Sequence, residues 1–485
     1  MRIPLDRSQP IPLYLQIEEF LRRAILDGVL PAETKLPATR TLAASLQVSR
    51  LTIENAYAEL TSKGLIRQRH GSGTYVCNQA KQLAPALSPG SSLPWHRFTT
   101  QPSRLDGHPD EPLPAGIIDF ASGIGDHRLF PLDEFRKIMQ SVLQRHGEEA
   151  CGYGDYCGYY PLRDTIARIL SQQGIACRAE QLLITSGSQQ AISLITQHYV
   201  RPGDTVVVEL PTYAEALALF AAQGAQILAI PCDDEGMQVD RLADQLRQRR
   251  PSLIYSIPNF QNPTGRTMSL RRRQQLVALA EQYQIPLLED DFVGDLRYSG
   301  SALPALPALR ALSPTAPVIY VGTFSKILMP GMRIGYLQAD GETYQALATR
   351  MHLHHFTCSS LIQRTLDAFV TVGRYEKQLK RICRRYRQQR DLMVELLQQQ
   401  LPAGCRLDTP EGGLFIWLQL PEDYDIERLI PQAWQRGVLF ARGECFYPTG
   451  ETRSSAALRL NFATNNLEEI RLGVTRLCQA LRDAQ

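Results

Sequence analysis

From residue 116 to the end, short apolar runs alternate with longer stretches of helical periodicity, and that alternation restricts the chain to a narrow class of folds. The runs lie at 181–185, 205–208, 252–256, 286–289 and 317–321, and each is followed by a helical or loop segment. Strands that read as continuously apolar, with a helix between each and the next, predict a largely parallel sheet covered by helices, an α/β architecture. A basic, Gln-rich helical stretch follows at roughly 360–400. It leads into a final α+β portion, about 405–482, within a smaller C-terminal subdomain of about 380–485. No internal repeat is visible.

The first 77 residues have a different grammar. Residues 10–28 repeat apolar side chains at helical spacing and end in Gly28. Pro37 and Thr39 open a short second helix that carries Leu42, Ala43 and Leu46. Gln47 and Val48 form a turn, and Ser49 can cap a third helix with Ile53, Tyr57 and Leu60 on one face and Gly64 at its end. Residues 65–76 read as a two-stranded wing with His70 and Gly71 near its tip. This is the pattern of a winged helix-turn-helix, an α+β domain. Between it and the α/β portion, residues 78–115 lose periodicity and gather Pro, Gly and Ser at 85, 89–92, 94, 102, 109, 112 and 114. They predict a linker of about forty residues, with Trp95 and Phe98 able to dock on a partner surface. The expected boundaries are 1–77, 78–115 and 116–485.

Length and composition fit that division. A chain of 485 residues is too long for one ordinary core, and 44% hydrophobic with 21% charged residues is the composition of a soluble globular protein. No apolar run reaches bilayer length, and the N-terminus lacks the apolar core of a signal peptide. The cytoplasm of a bacterium, with association to its nucleoid, is the expected location. The ten cysteines are scattered without a C-x-x-C pair, so free thiols are expected and no metal site. Net charge is +3, and its placement is informative. Residues 1–76 hold ten basic and seven acidic residues, whereas the remainder holds 42 of each. The excess sits on the segment that reads as a DNA binder.

Residues 9–76 resemble the winged helix of the GntR family of bacterial regulators. The resemblance rests on Lys35-Leu36-Pro37 with Arg40, Val48-Ser49-Arg50 with Thr52, Ala56-Tyr57 with Leu60, Gly64-Leu65-Ile66 and Gly71-Ser72-Gly73-Thr74-Tyr75. It implies a double-stranded DNA operator as partner. A recognition helix presents its N-terminal residues to base edges in the major groove. Arg50 has the planar fork that reads guanine, Ser49 and Thr52 can bond phosphate or base, and Arg40 is placed to grip the backbone. His70 and Gly71 at the wing tip suit the minor groove. Arg67 and Arg69 read equally as phosphate contacts or solvated charges. Leu51 stands where a polar residue is common, so the bases read are expected to differ.

From about 117 to 482 the chain resembles fold-type I pyridoxal-phosphate (PLP) aminotransferases, nearest the branch of kynurenine and aminoadipate aminotransferases. Joined to a GntR head, this resembles the MocR subfamily of regulators. The motifs are Thr323-Phe324-Ser325-Lys326, Gly331-Met332-Arg333, Glu289-Asp290-Asp291, Asn262-Pro263-Thr264-Gly265, Ser186-Gly187-Ser188-Gln189 and Leu458-Arg459-Leu460-Asn461. The resemblance implies that PLP is the cofactor and that Lys326 carries it. It implies Asp290 on the pyridine nitrogen, with Asp291 the weaker candidate, and Asn262 on the 3-oxygen. A cup of Ser188, Gln189, Thr323, Ser325 and Arg333 is implied for the phosphate, with Tyr213 over the ring. Backbone N–H groups at a helix start suit an anion, and the arginine fork suits a phosphate or carboxylate. Arg459 matches the arginine that holds a substrate carboxylate. Tyr153 matches a tyrosine that reaches the partner subunit's phosphate, which implies a homodimer.

One departure bears on activity. The family's tyrosine two or three residues after the pyridine-pairing acid is replaced by Phe292 and Val293. The loss of that hydroxyl is expected to weaken turnover, and residual transaminase activity is compatible with it. Three readings follow. The chain is a regulator sensing PLP or an amino compound through an aldimine at Lys326, an active aminotransferase with a DNA-binding appendage, or a vitamin B6 sensor with no amino ligand. The effector, the operator and the sign of regulation are not written in the sequence.

Overall fold

The computed structural model describes residues 3–6, 12–69, 72–77, 114, 116–298, 305–449 and 456–484. The chain divides into two compact units, Met1–Thr99 and Thr100–Gln485. His70, Gly71, Trp95 and Phe98 lie outside the described residues, as does nearly all of the segment read as a linker.

In the first unit three helices, α1 (Leu13–Leu26), α2 (Thr39–Leu46) and α3 (Arg50–Ser62), precede a hairpin of β1 (Ile66–Arg69) and β2 (Gly73–Val76). The helix read at 10–28 begins at Leu13, with Pro12 at its N-cap; proline is suited to a helix start and not to its interior. The turn between α2 and α3 is made by Gln47 in the left-handed region, φ 52°, and the Ser49 hydroxyl accepts the Thr52 backbone N–H at 3.1 Å to cap α3. Ile17, Leu21, Leu42, Ile53, Leu60, Ile66 and Val76 form the core. Burying these apolar faces against one another is what stabilises such a small unit.

The second unit is built on an eight-stranded sheet. Its strands are β4 (Leu182–Thr185), β5 (Thr205–Leu210), β6 (Gln226–Asp233), β7 (Gly236–Met237), β8 (Leu253–Ser256), β9 (Leu287–Asp291), β10 (Val318–Thr323) and β11 (Gly335–Gln338), numbered after a short strand β3 (Ile118–Asp119) that pairs in parallel with Val438–Leu439. The order is β4-β11-β10-β9-β8-β5-β6-β7. The central five, β10 to β6, are parallel, while β11 and β7 run antiparallel to their neighbours. All five apolar runs read from the sequence fall on strands of this sheet. Three members were not apparent there: β6, β11 and the two-residue β7. β6 contains Pro231 and is only half-buried along most of its length, and β11 is four residues long and begins with glycine.

The stretch 360–400 is two helices, Ser360–Thr371 and Arg374–Gln400, separated where Gly373 takes φ +71°. Beyond them Arg406–Leu407, Phe415–Gln419, Ala457–Asn461 and Ala441–Arg442 make a four-stranded antiparallel sheet. The final helix, Leu467–Asp483, starts in a capping box formed by Asn466 and Glu469. Among the described residues no helix is long and apolar enough to cross a membrane, and no cluster of His, Cys, Asp or Glu could hold a metal ion.

One buried cation ties the segment after β8 to the rest of the unit. Arg273, fully buried on the helix Leu270–Tyr283, donates to the carbonyls of Met268, Pro307 and Pro258 at 2.9 Å each and to Asn259 Oδ1 at 2.7 Å. Removing it takes the side-chain donor from all four, and among the described residues only the Pro258 carbonyl keeps another partner, the Met268 N–H at 2.9 Å. Arg273→Leu is expected to cost about 3 kcal/mol or more, since each orphaned buried group costs about 1–3 kcal/mol. Urea unfolding followed by the fluorescence of Trp417 and Trp434 checks this, and a midpoint equal to the parent's would contradict it.

Candidate cofactor cleft and nucleic-acid interface

The parallel strands of the second unit all end at one edge of the sheet, and a cleft of about 190 Å³ opens there. Ligands of open α/β sheets bind at this carboxyl edge. Asp290 comes from the end of β9. Lys326 and Ser325 follow β10, which itself supplies Thr323. Tyr213 follows β5, and Asn262 lies in the loop after β8. Ser188 and Gln189 are the first two residues of the helix Ser188–Tyr199, reached from β4 through Gly187. Arg333 sits between β10 and β11, and Arg459 comes from the small sheet. The structure thus brings Lys326, Asp290, Asn262, Tyr213, Ser188, Gln189, Thr323, Ser325, Arg333 and Arg459 into one cleft. Tyr153 is not among them. It is 89% exposed and packs its ring against Phe356 at 5.9 Å.

Lys326 Nζ donates to the Gly123 carbonyl at 2.7 Å. Burial lowers its pKa to about 8, helped by the cations Arg459 and Arg333, so near physiological pH a minority of the amine is neutral, far more than for an ordinary lysine. Burial raises the Asp290 carboxyl to about 7, against the hydrogen bond that Tyr255 donates to Oδ2 at 2.8 Å. Its other oxygen, Oδ1, is buried and has no hydrogen-bond partner among the described residues. Asp291 is turned away from the cleft, accepting from Asn259 at 3.0 Å and from the Tyr320 hydroxyl at 2.7 Å.

At the other end of the cleft, Arg333 takes φ 52° and donates to the Ser186 carbonyl at 2.8 Å. Two glycines make this approach possible. A Cβ on Gly187 (φ +88°) would lie 2.8 Å from the Arg333 guanidinium, and one on Gly335 would lie 2.5 Å from the Gly187 carbonyl carbon. The Thr323 hydroxyl lies 3.0 Å from that of Ser325, and Gln190 Oε1 accepts the Ser186 N–H at 2.6 Å to hold the turn. The result is a helix N-terminus, two hydroxyls and a guanidinium around one space, an anion-binding arrangement.

Arg459 is buried between Phe415 and Phe446, with its guanidinium carbon 4.3 and 4.9 Å from the two ring centroids. It donates to Asn262 Oδ1 at 3.0 Å and to the Ala121 carbonyl at 2.6 Å. Asn262 therefore presents its amide nitrogen as the remaining donor. The bond between Asn262 and Pro263 is cis.

Several lining groups have no local sequence signature. Gly123 and Ile124 arrive from the start of the unit, Phe415 from the small sheet, and Glu215 from the first turn after Tyr213. Tyr255, the partner of Asp290, lies on a four-residue buried strand that reads only as apolar. Phe292 lines the cleft and stacks on Phe415 at 6.5 Å, so no hydroxyl occupies that position.

These residues fit a pyridine ring with a phosphate arm. The unpaired, buried Asp290 Oδ1 can accept a pyridinium N–H, and the Gly187 turn leaves space that any Cβ would fill.

In the first unit α3 exposes Arg50, Leu51 (64% exposed) and Asn55, with Thr52 half-buried. Arg50 Nε is paired with Glu54 Oε1 at 2.6 Å, and Ser49 Oγ lies 2.8 Å from Thr52 Oγ1. Arg40 is exposed on α2. Arg67 and Arg69 both bond Glu33, the latter at 2.6 Å, so their charges are partly spent within the unit. Asn55, one turn after Leu51, was not apparent from the sequence as a base-reading candidate, although its amide suits adenine.

Residues 115–477 match the family model of class I and II aminotransferases, and residues 13–76 match that of bacterial regulatory proteins of the gntR family. The chain is 29% identical to an uncharacterized HTH-type transcriptional regulator, YdfD of Bacillus subtilis (strain 168), over 98% of both chains. It is 28% identical to the probable rhizopine catabolism regulatory protein MocR of Rhizobium meliloti, over 90% of this chain and 87% of that one. Among solved structures, LysN, the alpha-aminoadipate aminotransferase of Thermus thermophilus, crystallised with N-(5'-phosphopyridoxyl)-L-leucine, is 34% identical. It superposes with a TM-score of 0.71 over 76% of this chain and 93% of that one. A DNA-reading head on a PLP-binding α/β unit defines a cofactor-dependent transcriptional regulator. The chain belongs to the class I and II aminotransferase family, within its GntR-headed, MocR-type regulators.

Arg50→Ala is expected to weaken specific operator binding by roughly tenfold to a hundredfold, the worth of one bidentate base contact at about 1–3 kcal/mol. It should also relax the base preference at one position of each half-site. Titration of the DNA upstream of its own coding sequence, against the same fragment with single-base changes, checks both. Unchanged affinity and preference would exclude this helix as the reader.

Proposed function

We propose that this regulator responds to a small ligand through the cleft around Lys326, and that ligand occupancy changes its affinity for its operator. The observation that carries the proposal is the combination in one cleft of a half-buried, partly neutral lysine, an unpaired buried carboxylate oxygen and an anion-binding turn. In this reading Lys326 attaches the cofactor and Asp290 holds the pyridine nitrogen. Asn262 donates to the 3-oxygen, and Tyr213 covers the ring. Ser188, Gln189, Thr323, Ser325 and Arg333 hold the phosphate. Bound PLP supplies an aldehyde for amine capture and a ring that withdraws electrons. Arg459, already fixed between two aromatic rings, is the group for a ligand carboxylate, which favours an amino acid-like effector over free PLP.

Tyr153 has no role in the cleft of its own chain. In a homodimer its exposed side chain would reach the partner's phosphate site. Regulation further requires the effector to bind two arrangements of the dimer with different affinity.

An active aminotransferase remains the rival reading, because Lys326, Asp290 and Arg459 share the cleft. Phe292 and Val293 weigh against efficient turnover, since neither supplies the hydroxyl that the resemblance leads one to expect two or three residues after Asp290. Turnover of an amino donor with a 2-oxo acid discriminates the two.

Lys326→Ala is expected to abolish the visible absorbance of the loaded protein and to remove the ligand-dependent change in operator affinity, while operator binding itself persists. Comparing apo protein, PLP-loaded protein and PLP with pooled amino compounds on its own upstream DNA tests this; a full ligand response in the variant would falsify the mechanism.

The amine must shed its proton at Nζ before it can act as a nucleophile, and its pKa is lowered to about 8. The rate of PLP loading should therefore rise with pH, reach half its maximum near 8 and level off about one unit higher. Stopped-flow absorbance measures it, and a pH-independent rate would contradict the assignment.

A further inference from the structure

The basic helix Arg374–Gln400 is not used by the cofactor cleft. Between Arg374 and Arg387 it carries seven basic residues against one acid, Glu376, although residues 77–485 taken together balance their charges. Arg374, Lys377, Lys380, Arg381, Arg384 and Arg385 line one wall of a groove of about 860 Å³, and Lys137 faces them from the helix Leu132–Cys151. Lys137, Lys377, Lys380, Arg381 and Arg384 are exposed, and Arg374 and Arg385 half-buried. Among the described residues none of these seven has a carboxylate at ion-pair distance. The neighbouring Arg387 and Arg390 do, both with Asp391. One carboxylate, Glu134, also lines the groove, and keeping seven like charges together against it costs self-repulsion, which an anionic partner would relieve.

The layout identifies the kind of anion. The cations recur every three or four residues, so they form a stripe along the helix and do not converge on a point. From Arg374 to Gln388 the stripe runs about 21 Å at 1.5 Å per residue. A single phosphate or carboxylate is held by two or three converging donors, as at Arg333. A stripe of this length matches an extended polyanion, and duplex DNA carries one charge per about 1.7 Å of axis. The chain already has a duplex-reading unit, so this polyanion is present whenever the regulator works.

We infer that the groove along Arg374–Gln388 is a second duplex-DNA contact, made by the aminotransferase-like unit to the phosphate backbone. Phosphate contacts fix position and add affinity without reading sequence. The contact therefore strengthens binding to operator and random DNA alike.

The test uses the full-length, PLP-loaded protein with Lys377→Gln, Lys380→Gln, Arg381→Gln and Arg384→Gln combined. A control combines Arg145→Gln, Arg178→Gln, Arg249→Gln and Arg471→Gln, which are exposed elsewhere on the same unit. Affinity is measured against salt concentration for the DNA upstream of its own coding sequence and for a random-sequence duplex of equal length. Each lost phosphate contact lowers the slope of log affinity against log salt by about 0.9. The groove variant should flatten the slope by about two to four on both duplexes and weaken binding at least tenfold at low salt. The control should leave the slope within about one of the parent's. Retained cofactor absorbance and melting midpoint show that each variant is folded. Should the fourfold variant fail that check, the pair Lys380→Gln and Arg384→Gln is expected to give about half the change in slope. An unchanged slope overturns the inference. Equal flattening by groove and control variants reduces it to net charge and also overturns it. Saturable binding of inorganic pyrophosphate, lost in the variant while the DNA slope stays constant, assigns the groove to a small anion and overturns it as well.

Discussion

The parallel register between β9 and β10 sets the geometry of the cleft. Asp290 is paired with Val321 across these strands, and Lys326 follows three residues beyond the end of β10 at Thr323. The acid is therefore held on a strand, and the amine on the short turn that leaves the adjacent strand. A slip of one residue would exchange Asp290 for Asp291, because alternate side chains of a strand face opposite sides. Asp291 is fastened on its own side by Asn259 and Tyr320, so the two neighbouring acids are sorted by hydrogen bonds as well as by pleat. The next strand extends the same logic. Gly335 of β11 pairs with Thr323 on one side and with Thr185 of β4 on the other, which carries the β10–β11 connection, with Arg333, against the turn at Gly187.

Buried charge distinguishes scaffolding from chemistry here. Glu209, Glu289 and Asp290 are all buried, and burial raises each to about 7. Glu289 spends both oxygens on the backbone N–H groups of Leu309 and Arg310, at 2.7 and 2.8 Å. Glu209 is bonded by Ser256, Gln261 and the Ile257 N–H. Only Asp290 keeps an oxygen without a partner, and it alone of the three faces the cleft. A buried polar atom left unsatisfied is costly, so its retention beside a lysine of lowered pKa marks a place built for a ligand rather than for stability.

Much of this was legible in the sequence, and the reasons differ between elements. Strands such as Leu253–Ser256 and Leu287–Asp291 are buried on both faces and read as apolar runs. Most cleft residues are legible because they end a strand, follow one or open a helix in a fixed order, whereas Arg459 lies inside a strand of the small sheet. β6 escaped because Pro231 breaks its run, and the division at Gly373 escaped because a single glycine is tolerated within a helical pattern. The contacts of Tyr255 with Asp290 and of Gly123 with Lys326 join residues 35 and 203 positions apart. No local periodicity encodes such pairs; they exist only once the sheet has formed. The pairing of Arg50 with Glu54 is different, since an i,i+4 ion pair can be read directly from a helical sequence.

That pair bears on how the two units divide the work of binding DNA. Arg50 is paired with Glu54, so as a base reader it would have to exchange one partner for another, and an exposed pair of this kind costs little to open. Such an exchange would add affinity where the correct base is present and little elsewhere. The stripe on Arg374–Gln400 has the complementary property: its groove-lining cations have no carboxylate partner among the described residues to give up, so they add affinity and no discrimination. Specific and non-specific binding then rest on different units of the chain. Under that proposal, a ligand in the cleft of the second unit would have a route to overall affinity that leaves the bases read by α3 unchanged.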